Sequence, residues 1–140
     1  MFPCFDEPAL KATFDIVLVI ETKFTALSNM NVISDETVDT RMKKIAFATT
    51  PIMSTYVSLI VEKRLLYIFN VVNKLQLICV VIGEFNYIES TDFHIPIRVY
   101  ADPGKEKRGQ YALDIAVKTL TLYEKIFGVQ FPLPKLDMVM

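Results

Sequence analysis

The apolar residues of this chain change their period once, and that change limits the folds open to it. From Thr13 to Tyr100 they alternate or cluster in short β-branched runs; from Arg108 they recur at i, i+3 and i+4. A period of two belongs to strands with one buried face, and a period near 3.6 to a helix. The order is therefore many strands, one helix, and a last apolar run, which makes the fold mainly β.

Thr13-Phe14-Asp15-Ile16-Val17-Leu18-Val19-Ile20 puts Phe14, Ile16, Leu18 and Ile20 on one face of a strand. Leu27 to Ile33 reads as a second strand, followed by a polar loop from Ser34 to Arg41. Lys43 to Ala48 is a short strand closed by Thr50-Pro51. Leu77 to Glu89 reads as one longer strand with Gly83 at a bulge or bend. His94 to Tyr100 is a further strand, and Pro96 suggests an edge position; Asp102-Pro103-Gly104 then turns the chain. The helix is expected over about residues 109–127, packed through Leu113, Ala116, Val117, Leu120 and Phe127, with Gly128 ending it. Pro132 and Pro134 impose a loop, and Leu136 to Met140 begins another strand.

Apolar residues are 52% of the 140, enough to exclude a disordered chain and to build one ordinary core. The 15 basic and 16 acidic residues are scattered, so no basic stripe offers phosphate neutralisation and no nucleic-acid partner is expected. Cys4 and Cys79 form no CxxC pair and read best as two reduced thiols, although a disulfide stays open. The first eight residues have no basic segment leading into an apolar run, so no secretory signal is expected. Leu65 to Gly83 is long and apolar enough to raise a membrane span. However, Asn70, Asn73, Lys74 and Gln76 lie near its middle, and a central Lys alone costs roughly 2.5–3.5 kcal/mol on insertion. No span is expected.

Chemistry-bearing patterns are sparse. His94 is the single histidine, whereas an HExxH zinc site needs two imidazoles at i, i+4 and a carboxylate. A histidine-assisted serine or cysteine nucleophile lacks its GxSxG-type turn. Asp6-Glu7 are adjacent carboxylates, but neighbours on an extended chain point opposite ways, which favours a turn-capping role before Pro8. Lys105, Lys107 and Arg108 make a small basic loop without a GxxxxGK[ST] phosphate cradle. No catalytic, cofactor-binding or metal-binding residue is assigned.

The wording of the sequence is more informative than its periods. Phe2-Pro3-Cys4-Phe5-Asp6-Glu7-Pro8-Ala9-Leu10-Lys11-Ala12-Thr13-Phe14 resembles the FPCFDEPALKATF signature of gluzincin zinc aminopeptidases, the aminopeptidase N and puromycin-sensitive group. Ala26 to Met30, Phe47 to Tyr56, Val81 to Phe85, Ile97 to Tyr100 and Phe131 to Val139 follow in that family's order. The resemblance implies that residues 1–99 are the closing antiparallel strands of the family's N-terminal β domain. Residues 100–140 would then be the first helix and a partial strand of its thermolysin-like catalytic domain. It also implies that the family's GAMEN motif, its HExxH with the distal Glu, and its catalytic Tyr have no counterpart in this chain. Peptide substrate and zinc thus belong to the full-length family, and the chain as it stands is expected to be inactive. A non-catalytic, β-rich interaction module is the alternative. The wording is closest to the cytosolic branch, which implies a cytoplasmic location, and unpaired strand edges would favour self-association.

One departure lies inside. Between Tyr56 and Leu77 the family runs straight on, whereas here Val57 to Gln76 is interposed. That segment has no Gly or Pro and is mostly apolar, unlike a polar loop evolved to sit in a strand. It is expected to lengthen the strand, form a stray helix, or expose apolar surface. Its ends fit translated intron sequence, since Val-Ser can be written GTAAGT and Leu-Gln TTGCAG; a lineage-specific insertion is the other reading.

Overall fold

The computed structural model describes residues 7, 9–54, 58–62 and 78–140. It divides into two compact units, Met1–Gly83 and Glu84–Met140.

Among the described residues the first unit holds eight strands: β1 (Lys11–Ala12), β2 (Val17–Glu21), β3 (Thr25–Ser28), β4 (Val32–Thr37), β5 (Met42–Phe47), β6 (Met53–Ser54), β7 (Ser58–Glu62) and β8 (Ile78–Gly83). They form sheets ordered β1-β6, β2-β5-β4 and β3-β8-β7, antiparallel except for β7 beside β8. The alternation around β2 has its expected outcome. Ile20 is buried, Phe14, Ile16 and Leu18 are half-buried, and Val17 and Val19 between them are exposed. Ile20, Ala26, Ile45 and Phe47 form a core joined by Ile16, Leu18, Phe24, Met30 and Ile82, so the apolar faces of two sheets close on each other. Phe14 N donates to Thr50 Oγ1 and Thr50 N to the Phe14 carbonyl, both at 3.0 Å, which ties the run before β2 to the run after β5.

Two expectations in this unit need correction, and a third is narrowed. Leu27 to Ile33 is not one strand. The chain bends at Asn29-Met30, where the Asn29 side-chain oxygen accepts from Cys79 N at 2.8 Å, and β4 begins afterwards. Nor is Ser34 to Arg41 all loop. β4 runs on to Thr37, because β5 supplies a ladder partner from Phe47 to Lys43 that polar residues can use. The turn itself is only 38–41, held by Asp39 Oδ1, which accepts from Arg41 N at 2.6 Å and Met42 N at 2.9 Å. Finally, Ser58–Glu62 neither lengthens β8 nor forms a helix but pairs with Ile78–Ile82 in parallel. The rest of that interposed segment lies outside the described residues.

The second unit is β9 (Asn86–Ser90), β10 (Ile97–Ala101), a 3-10 turn at Glu106–Gly109, helix α1 (Gln110–Phe127) and β11 (Leu136–Val139). The expected single strand from Leu77 to Glu89 is interrupted at Glu84-Phe85, so β8 and β9 belong to different sheets. β10 is central, antiparallel to β9 and parallel to β11, rather than at an edge. Pro96 precedes the strand, so its missing N–H costs no ladder bond, and its carbonyl accepts from Leu136 N at 3.1 Å. Parallel neighbours need a long crossover, and α1 supplies it. Ile97, Val99 and Leu113 are the buried core, with Ala116, Val117, Leu120, Leu136 and Met138 packed against them. Phe127 is not in that core; it is exposed and meets Tyr123 edge-on at 5.8 Å. Gly128 ends the helix in the left-handed region at φ 65°, its N–H on the Glu124 carbonyl.

Candidate functional site

Strand alternation places a polar row on the sheet face of the second unit opposite α1. Arg98 on β10 stands in register between Glu89 on β9 and Asp137 on β11; Tyr100 stands in register between Tyr87 and Val139. Arg98 Nε donates to Glu89 Oε2, and its guanidinium lies 5.5 Å from the Tyr87 ring centre. The rings of Tyr87 and Tyr100 are 5.2 Å apart. Lys135 Nζ donates to Asp137 Oδ2, with side-chain exposures of only 7% and 8%. Asp137 Oδ1 is buried without a hydrogen-bond partner among the described residues. Burial first, then the Asp137 charge, pushes the Tyr100 phenol up to about 12.

This row joins two ion pairs, Arg98 with Glu89 and Lys135 with Asp137, so its charges offset one another. Asp137 sits against the buried Lys135 ammonium and in register with Arg98, so its charge is paired rather than free. The raised phenol is a poor proton donor at neutral pH. The row holds three strands in register and presents no nucleophile.

The residues weighed from sequence lie apart from it. His94 falls in the bend before β10, its ring tilted against that of Phe93 with centres 4.2 Å apart, and its Nδ1 is 3.7 Å from Glu124 Oε1. That carboxylate also accepts from Phe131 N at 2.7 Å, so it fastens the loop after α1. Glu7 closes a turn, its carbonyl accepting from Leu10 N at 3.0 Å; Asp6 and Cys4 lie outside the described residues. Lys105 pairs with Asp102 at 3.0 Å beside Gly104, whose φ of 84° makes the turn. Glu106 accepts from Asn86 Nδ2 at 2.6 Å and Gly104 N at 2.8 Å, bonds that hold its carboxyl below the usual range. The basic loop is thus fastened as a helix lead-in, with no convergent donors. Among the described residues no three His, Cys, Asp or Glu side chains are grouped to hold a metal, and no helix is long and apolar enough to cross a membrane.

The polar row was hidden from sequence reasoning for a definite reason. Alternation in Ile97-Arg98-Val99-Tyr100 puts Arg98 and Tyr100 on one face, but Asp137 reaches them only through a parallel pairing that skips a whole helix.

Comparison with known proteins identifies the family. Residues 1–57 match the Peptidase M1 N-terminal domain, and the chain belongs to the M1 aminopeptidase family. In particular, it is 47% identical over 138 residues to Aminopeptidase 2, mitochondrial, of Saccharomyces cerevisiae. It is 43% identical over 140 residues to puromycin-sensitive aminopeptidase of Caenorhabditis elegans and 40% over 139 to Aminopeptidase M1 of Arabidopsis thaliana. Each match takes in 99% of this chain, which spans only 12% of the yeast protein and 13% of the other two. The mainly β architecture with one helix agrees with the N-terminal β domain of that family.

Proposed function

We propose that this chain is a non-catalytic segment of the zinc aminopeptidase family, inactive by itself. Residues 1–99 would be the end of the N-terminal β domain and residues 100–140 the start of the catalytic domain. The observation that carries the reading is the donor set. A family zinc site takes two histidines at i, i+4 and carboxylates, and this sequence has His94 alone, with Glu124 at 3.7 Å already bound to Phe131 N. The residues present do not fit that metal. Removal of N-terminal residues from peptides is the activity proposed for full-length relatives, and a cytoplasmic location is proposed from the likeness to the puromycin-sensitive branch. The alternative, a β-rich interaction module, draws on the apolar residues that α1 leaves exposed.

The test is direct. The purified chain should hydrolyse no aminoacyl-arylamide and should hold less than about a tenth of an equivalent of zinc after dialysis. One tightly held zinc per chain, with hydrolysis abolished by a chelator, overturns the proposal.

A further inference from the structure

Helix α1 carries a second apolar stripe on the side away from the sheet. Tyr111, Ile115, Leu122 and Ile126 are 78%, 43%, 53% and 62% exposed. At 100° per residue they fall within an arc of about 60°, roughly opposite buried Leu113. Their spacing of four, seven and four reads the same in both directions about a point between Lys118 and Thr119. A stripe of that kind is self-complementary. Laid antiparallel on a copy of itself, Tyr111 meets the copy's Ile126 and Ile115 meets its Leu122, twice over, as two-fold symmetry requires.

The charges on one flank agree with the same arrangement. Asp114 and Lys125 lie on the same edge of the stripe, and an antiparallel copy brings each within about 3 Å of axial level with the other. Lys118 opposes the pairing, because its two copies come near the axis; its long stem lets the ammonium turn out to water at some loss of affinity. Four anchors per copy bury on the order of 1,000 Å² in total, at the low end for a specific interface. We propose that this outward face of α1 docks a second copy of the same chain, as a weak antiparallel helix-to-helix dimer. The inference does not depend on the absence of catalysis.

Sedimentation equilibrium of the full 140-residue chain, from about 5 to 200 µM, reads the outcome. A monomer–dimer equilibrium is expected. Leu122→Lys should weaken it at least about tenfold, and Lys118→Gln should strengthen it about threefold. Both positions are exposed, so unchanged circular dichroism certifies the fold of each variant. With Cys4 and Cys79 both replaced by Ser, oxidation of the Lys118→Cys chain should yield a covalent dimer, while Lys107→Cys, off the stripe, should not. A chain monomeric throughout the range overturns the proposal, as does association that Leu122→Lys leaves unchanged, which would place contact at strand edges. A monomer captured only when the remaining part of a full-length relative is added assigns the face to that polypeptide and equally overturns it.

Discussion

Tyr100 is the residue whose protonation the fold controls most strongly. Its phenol is 6% exposed and held at about 12, against 10.0 for an unperturbed tyrosine. Between those values the unfolded chain has released a proton that the folded chain keeps, so stability is present below pH 10 and is lost as pH rises toward 12. The full interval sets a ceiling of about 2.7 kcal/mol, and with solvent relaxation about 1–2 kcal/mol is expected. Urea midpoints at pH 9 and pH 11.5 should show this loss in the parent chain and a smaller one in Tyr100→Phe. If the variant loses as much, another group governs the alkaline limb. Lys135 and Asp137 belong to the same scale. A buried ion pair is weak support for stability while intact, but removing either partner strands a charge.

At the scale of elements, the approach of α1 to β10 turns on Gly109. A Cβ there would stand 2.6 Å from Val99 Cγ1 and 3.2 Å from Val99 Cβ, both part of a branched core side chain that cannot swing away. Gly109→Ala should therefore lower stability by about 1–3 kcal/mol through overpacking, although alanine is the better helix former. Gly109→Ala combined with Val99→Ala should lose less than the two single changes added together, since the clash is then gone. Thermal unfolding of the three variants measures this.

The same elements show what the sequence made legible. The helix and its glycine end were readable because a 3.6 period and a left-handed stop are local properties. The face of β2 was readable because alternation is local too. The breaks at Asn29-Met30 and Glu84-Phe85 were not. In both places strand-forming residues stand on either side of the break while the ladder partner changes, and that is a fact about distant strands. Phe127 continues the helical period past the last residue that the sheet can cover, so the period alone assigned it to the core. Pro96 was misread for a similar reason: a proline just before a central strand resembles one in an edge strand.

For the whole molecule, the question is what Val57 to Gln76 contributes. β8 pairs with β3 from Thr25↔Gly83 to Ser28↔Val80 without using any residue of that segment. Deleting the twenty residues joins Tyr56 to Leu77 and should leave the β3–β8 ladder intact, with the melting temperature unchanged or raised by a few degrees as the connection to β8 shortens. A drop of more than about 5 °C would show that β7 is an integral strand of its sheet.

The parallel pairing of β10 with β11 also has a consequence during synthesis. Ile97 pairs with Leu136, 39 residues later, while β9 is available at once on the other side. A ribosome adding about 5–20 residues per second leaves the second edge of β10 without its partner for roughly 2–8 s after the strand has been made. Through that interval the nascent chain presents Ile97 and Val99 on a strand with one unfilled ladder, the form in which short apolar segments are most readily captured by chaperones or by one another.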